Sequence, residues 1–335
     1  MDCVQNGFVV YMLKFMRVDI PSISNQLNED QVFQIINKNF SQLNNIWFKF
    51  QMEWLKGTYS SFNDHDKYLI IIYLVQKTMN FFSSSFVVLD YESYYLKNKI
   101  EISNFNIINI SKDLLITKET ARRKVLELEK IGVLKRDKKK IILDRSKLDF
   151  QKPGRSIGSI SNFLSKLTEA IAKNGCLDKK YSKDLIESYI KKNFTHCWKL
   201  FYEMQIPLVL GWKKSFGDFE TWHIWAIIVT QNSFKNSKAM GSLVSREKYI
   251  DELFKEGVGI NAMSVSELSG IPRATVVRKI NNLLKKKLIL IDEKKLYHPG
   301  KIDIKKYSDI NKKAMELLST FTCKVINLIQ LNKLK

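Results

Sequence analysis

Residues 118–140 and 273–295 are two versions of one segment, KETARRKVLELEKIGVLKRDKKK and RATVVRKINNLLKKKLILIDEKK. Thr120 falls on Thr275, Arg123 on Arg278, Lys124 on Lys279 and Leu128 on Leu283; further on, Asp137 falls on Asp292, Lys139 on Lys294 and Lys140 on Lys295. The match extends upstream. INKNF at 36–40 pairs with IKKNF at 190–194, SFND at 61–64 with SFGD at 215–218, and Glu92 and Tyr94 with Glu247 and Tyr249. The offset is 154 early (Phe194 minus Phe40) and 155 late (Thr275 minus Thr120). Collinearity over roughly 110 residues predicts one domain of about 150 residues, duplicated. The division expected is an N-terminal segment, 1–24, that need not be a domain; a first domain, 25–150; a linker and short helix, 151–180; a second domain, 181–300; and a C-terminal helix, 301–335.

At 335 residues the chain is long enough to bury two substantial cores. Its net charge of +21 and pI near 9.6 favour an anionic partner. Usage rich in Lys, Asn and Ile and sparing with Gly and Pro is also the pattern expected of an AT-rich genome, which is a competing source of the charge. Placement is therefore more telling, and 135–140 and 285–287 concentrate lysine beside the repeated helix. The four cysteines (Cys3, Cys176, Cys197, Cys323) form no C-x-x-C and no metal-spaced cluster. No metal, cofactor or disulfide framework is expected, and a reducing cytoplasm is the default. His196-Cys197 sits in an apolar-aromatic pattern and reads as packing. The apolar run 8–16 is interrupted by Lys14 and preceded by Asp2, unlike a signal peptide, and the start is open between Met1, Met12 and Met16. That run, 69–75 and 224–229 are all too short to span a bilayer. The expected location is cytoplasmic and nucleoid-associated, without membrane.

Helical spacing runs over 30–55 (Phe33, Ile36, Phe40, Leu43, Trp47, Phe50, Trp54) and again over 184–204 (Leu185, Tyr189, Phe194, Trp198, Phe201). Such aromatic stripes belong to a core far more often than to a base-stacking surface. Apolar helices are expected at 66–80 and 220–233, a strand at 86–89, and helices at 91–97 and 246–255. Next comes a short helix, 110–115, then a longer one, 118–131; the second pair is 265–269 and 272–286. Ser264 or Ser266 is the expected cap of the second short helix, Gly270 the left-handed turn, and Pro272 the first residue of the long helix. The first copy has Leu115 or Ile116 where that glycine would be. Basic hairpins follow, with returning strands at 141–143 and 296–298. Pro153, Gly154 and Gly158 mark 151–161 as linker ahead of a helix at 162–173. A last helix, 308–331, carries the stripe Met315, Leu318, Phe321, Val325 and Leu328, suited to packing on this chain or to joining a second copy as a homodimer. The fold class expected is mainly α with small β-hairpin wings, in two tandem winged-helix domains.

An α-helix fits the major groove of double-stranded DNA when a small core holds it from behind and its front is polar. Ala121, Val125 and Leu128 supply one back, and Val276, Ile280 and Leu283 the other. Lys118, Glu119, Arg122 and Arg123 then point forward, as do Arg273, Ala274, Val277 and Arg278. Arginine can bond guanine bidentately, glutamate can accept from cytosine, and valine suits a thymine methyl. Thr120 and Thr275 can reach phosphates, and Lys135, Arg136, Lys138, Lys139, Lys140, Lys294 and Lys295 on the hairpins can neutralise them.

The segment VSELSGIPRATVVRKINNLLKKKLIL (265–290) resembles the winged helix-turn-helix of bacterial regulators of the MarR and IclR types. ISKDLLITKETARRKVLELEKIGVLKR (110–136) is similar to the C-terminal DNA-binding module of the Crp type. These resemblances imply DNA binding and bacterial transcription control. The leading expectation is a sequence-specific transcriptional regulator. A plasmid- or phage-type replication initiator with tandem winged helices is the alternative, and a protein-interaction scaffold without base readout is a third. An enzyme is not expected: there is no phosphate-binding glycine loop, H-E-x-x-H or G-x-S-x-G, and the one acid–His cluster, Asp64-His65-Asp66, is not repeated with its histidine.

Overall fold

Two asparagines break what apolar spacing predicts to be continuous helices. The computed structural model describes residues 26–103, 106–137, 140–147, 152–236, 246–253, 258–300 and 303–333. Helix α1 (Glu29–Lys38) opens on a capping box, Asn28 accepting from the Gln31 amide at 2.8 Å, and stops at Asn39. Helix α2 (Phe40–Phe62) begins at the next residue. The Asn39 side chain donates to the Ile35 carbonyl at 2.8 Å. A short amide bonded to its own backbone competes with the helical ladder and permits the bend.

Helix α3 (His65–Ser84), capped by Asp64, is followed by α4 (Tyr91–Leu96), β1 (Lys99–Ile102), α5 (Ile107–Asp113), α6 (Lys118–Lys130), β2 (Leu134–Asp137) and β3 (Lys140–Asp144). A 3-10 turn spans Arg145–Lys147, and α7 (Gly154–Lys173) comes next. The remainder comprises α8 (Lys183–Lys192), α9 (Phe194–Phe216), α10 (Phe219–Asn236), α11 (Arg246–Leu253), α12 (Ala262–Ser269), α13 (Arg273–Lys285), β4 (Ile289–Ile291), β5 (Tyr297–Pro299) and α14 (Ile304–Lys333). The described residues are thus mainly helical with two small antiparallel sheets. Between α8 and α9, Asn193 repeats the bend, its side chain donating to the Tyr189 carbonyl at 3.1 Å. Helices α2 and α9 both span 23 residues, and α6 and α13 both span 13.

The first sheet has strand order β1-β3-β2, with Ile100, Ile102, Ile141, Leu143 and Leu134 buried. The second pairs β4 with β5, and an isolated bridge joins Ile260 to Tyr297 beside it.

Three sequence expectations need correction. Residues 86–89 form no strand; Phe86 is 94% exposed at φ 55°, and the Leu89 amide instead donates to Thr195 Oγ1 at 2.9 Å. The stretch 151–161 is not a free linker, because α7 already starts at Gly154. Its glycines and serines look like loop, but Ile157 and Ile160 extend the buried stripe of Phe163, Leu164, Leu167 and Ile171, and burial outweighs local propensity. The buried apolar residues also form one contiguous core instead of two. Helix α9 is buried over most of its circumference, and α2 buries a broad apolar face while Gln42, Lys49, Glu53 and Lys56 stay exposed. Helix α3 packs on α9 and α10 on α2.

Within that core Gln51 and Gln205 exchange amide hydrogen bonds at 3.0 and 2.8 Å. The α14 stripe is covered by α1 and α9, with Met315, Leu318, Phe321 and Val325 buried and Leu328 half-buried. Asn327 of α14 clamps the backbone of Leu27, accepting from its amide and donating to its carbonyl.

Candidate nucleic-acid interface

Helix α6 rests on α5 and α3 through Ala121, Val125 and Leu128, all fully buried. Helix α13 rests on α12 and α10 through Val276, Ile280 and Leu283, equally buried. The turns ahead of them are locked alike: Ser111 Oγ donates to the Ile116 carbonyl and Ser266 Oγ to the Ile271 carbonyl, both at 2.7 Å. Each turn needs one left-handed residue. Gly270 supplies it at φ 74° without strain, whereas Leu115 takes it at φ 52° with a Cβ in the way.

Capping differs from the sequence expectation in the second pair. Asn261, not Ser264 or Ser266, caps α12, accepting from the Ser264 amide at 2.9 Å, because Ser266 is engaged in the turn. Pro272 sits one place before the helix, at the N-cap position (φ −54°, ψ 137°), and offers no side-chain cap. In the first pair Thr117 caps α6, accepting from the Thr120 amide at 3.1 Å.

Lys118, Glu119, Arg122 and Arg123 are exposed on α6, and Thr120 is half-buried. On α13, Arg273, Ala274, Val277 and Arg278 are exposed and Thr275 is half-buried. Arg123 reaches Glu127 at 3.1 Å. Arg122 and Arg278 have no acidic partner among the described residues. On the hairpins Lys135, Arg136, Lys140, Lys294 and Lys295 are exposed. Two of these cations are not free: Arg136 pairs with Glu129 at 2.6 Å, and Lys140 with Glu101 at 2.6 Å. Lys138 and Lys139 lie outside the described residues. In the second hairpin Lys295 adopts φ 59°, and Asp292 accepts from the Leu296 amide and from His298 Nε2.

Repetition in sequence also marked Lys124 and Lys279, and the structure gives them an inward task. Lys124 is buried and ion-paired to Asp64, with Asp66 at 3.8 Å; Lys279 pairs with Asp218 at 2.7 Å. Each lysine ties a long exposed helix to the acid at the start of α3 or α10. Asp64 and Asp218 also cap those helices through the amides of Lys67 and Thr221.

The acid–His cluster is thus absorbed into packing. Asp66 binds Lys213 at 2.8 Å, and Lys213 also donates to the Leu114 carbonyl at the end of α5. His65 lies against Thr58 Oγ1 at 2.7 Å, and burial, helped by Lys124, pushes it down to about 3. His223, 5.3 Å from it, is driven well below the ordinary range by burial first and His65 second. Both rings are neutral at pH 7. Glu220 is raised to about 7, mainly by burial and then by Asp218 and Asp66, against its own backbone amide and Lys279.

The long aromatic helices are core, as expected: Phe40, Trp47, Phe50, Trp54, Phe194, Trp198 and Phe201 are buried. Among the described residues no group of three or more His, Cys, Asp or Glu could hold a metal ion, and no helix is long and apolar enough to cross a membrane. The chain matches no protein family, no curated protein and no solved structure.

Proposed function

We propose that this chain binds double-stranded DNA sequence-specifically, as a regulator, through two winged helix-turn-helix modules produced by internal duplication. The supporting observation is the twice-built helix: an apolar back, a serine-locked turn, a lysine tie to the acid behind it, and an exposed front carrying Arg122 and Arg123 or Arg273 and Arg278. Each is followed by an antiparallel hairpin that places further cations beside it. Cationic front residues can reach base edges, and hairpin lysines can hold phosphates.

The relation between the modules favours one duplex as ligand. Gln51 and Gln205 are 154 positions apart, the repeat offset, and so are His65 and Phe219, whose rings lie 5.6 Å apart. In a self-complementary arrangement a residue meets its own counterpart only beside a twofold axis. We infer such an axis passing from the Gln51–Gln205 pair in the middle of α2 and α9 to the His65–Phe219 contact just beyond their C-terminal ends. Lys56 of α2 donates to the Glu267 carbonyl of α12, and Lys213 of α9 to Leu114 after α5, so both helix pairs are held toward that end. Twofold modules read inverted half-sites, with recognition helices about 34 Å apart in the usual case. Because Ala274 stands opposite Glu119 and Val277 opposite Arg122, the two arms should differ.

Selection of bound duplexes from a random library by the full chain tests this. An inverted, imperfectly matched pair of half-sites is expected; direct repeats or no enrichment would refute it. Replacing Arg122 and Arg123 together with alanine should weaken binding to the selected site at least tenfold. Unchanged affinity would favour the scaffold alternative.

A further inference from the structure

A cleft of about 810 Å³ lies between α2, α3, the start of α7 and α9. This volume falls in the range of small-molecule sites, roughly 300–1,000 Å³. Half-buried Tyr68 lines it together with the buried Trp54 and Trp198, 6% and 2% exposed, and the exposed Lys56, Lys152 and Arg155 lie at its edge. Among the described residues Glu53 is the one carboxylate in the lining, and Ser159 Oγ lies 3.5 Å from it. Arg155 has no acidic partner among the described residues. Helix α7 starts at the same edge with Pro153 in the cap position and no side-chain cap, so among the described residues its first amides have no acceptor and lie beside Lys152 and Arg155. Cations and free amides suit phosphate, and an aromatic lining suits a flat base.

We infer that this cleft is a binding site for a nucleoside phosphate, with phosphates on the Lys152–Arg155 edge and the base toward the aromatic lining. The occupant also has a route to the second module. Lys56 Nζ is bonded to the Glu267 carbonyl of α12 at 2.9 Å, and Ser60 Oγ lies 3.5 Å from where a Cβ on Gly270 would stand. A phosphate that draws Lys56 into the cleft releases its hold on α12, the helix that carries the turn into α13. This coupling rests on the proposed DNA binding; the binding site itself does not.

Equilibrium dialysis of the full chain with ATP, ADP, AMP and pyrophosphate, without DNA, reads the site directly. At least one nucleotide should bind saturably and more tightly than pyrophosphate. Arg155→Glu should weaken it at least tenfold, and Ser159→Trp, which fills the cleft from α7, should do the same, both with unchanged circular dichroism. No saturable nucleotide binding, equal affinity for ADP and pyrophosphate, or affinity unmoved by either folded variant would overturn the assignment. Should both variants misfold, loss of nucleotide quenching of tryptophan fluorescence in Lys152→Glu decides in its favour, and retention against it. A selected duplex then tests the coupling separately: nucleotide should change its affinity in the wild type and not in Lys56→Met.

Discussion

The Gln51–Gln205 pair offers a sharp energetic test, because both amides sit in an apolar core with 4% and 0% of their surface exposed. Each donates one bond and accepts one. Replacing Gln51 with leucine removes both bonds and strands one donor and one acceptor of Gln205 out of reach of water. An unsatisfied buried polar group costs about 1–3 kcal/mol. Two on one amide, partly relieved by relaxation, give about 2–4 kcal/mol for the single variant. Gln205→Leu should cost a similar amount for the mirrored reason. The double variant leaves no polar atom stranded and fills the same volume, so it should be more stable than either single variant. Urea denaturation followed by circular dichroism, as a double-mutant cycle, measures this. A coupling of at least about 2 kcal/mol is expected. Strictly additive losses, or single variants costing less than about 0.5 kcal/mol as surface changes do, would refute the paired core.

The left-handed turn predicts opposite outcomes in the two modules: Leu115→Gly should stabilise by about 1 kcal/mol and Gly270→Leu should destabilise by at least that, both read by thermal melting. Lys124→Met should lose about 3 kcal/mol by leaving Asp64 without its ion-pair partner in a half-buried site, while Asp66 keeps Lys213; Lys118→Ala should stay within about 0.5 kcal/mol, and equal effects would contradict the inward role of Lys124. Glu220 has a folded-state pKa raised to about 7 from an ordinary 4.5, so the folded chain binds the extra proton between those values and wild-type stability falls as pH rises through that window. Glu220→Gln abolishes this loss, and its stability advantage over the wild type should grow from pH 5 to pH 8; a constant difference refutes the shift. With roughly six phosphate contacts, log K for a selected duplex should fall with log salt at a slope near −5.

Much of the helical pattern was legible because the apolar residues recur at three- and four-residue steps. The backs of α6 and α13 could be named residue by residue from that spacing. Asn39 and Asn193 were invisible as bends, since an asparagine within a strong apolar stripe has no local signal that its side chain will turn on its own backbone. The start of α7 was hidden for the opposite reason: Gly154, Ser156, Gly158 and Ser159 look like loop until Ile157 and Ile160 find the core. The ion pairs of Lys124 with Asp64 and Lys279 with Asp218 cross some sixty residues of chain and have no helical spacing. A signal for them did exist, for both members of each pair recur at the repeat offset. Matched exposure alone could not be inferred, and Arg136 and Lys140, read as free cations, each hold a glutamate.

The clamp of Asn327 on Leu27 has a consequence for the nascent protein. Helix α1 buries Val32, Ile35 and Ile36, and α14, one of the last elements translated, packs along it. During synthesis α2 and α7 can pack on α1 early, but the side of α1 that α14 covers stays open until α14 clears the ribosomal tunnel, unless a chaperone shields it. The contact between α1 and α14 therefore closes late, after every described element between them has been made.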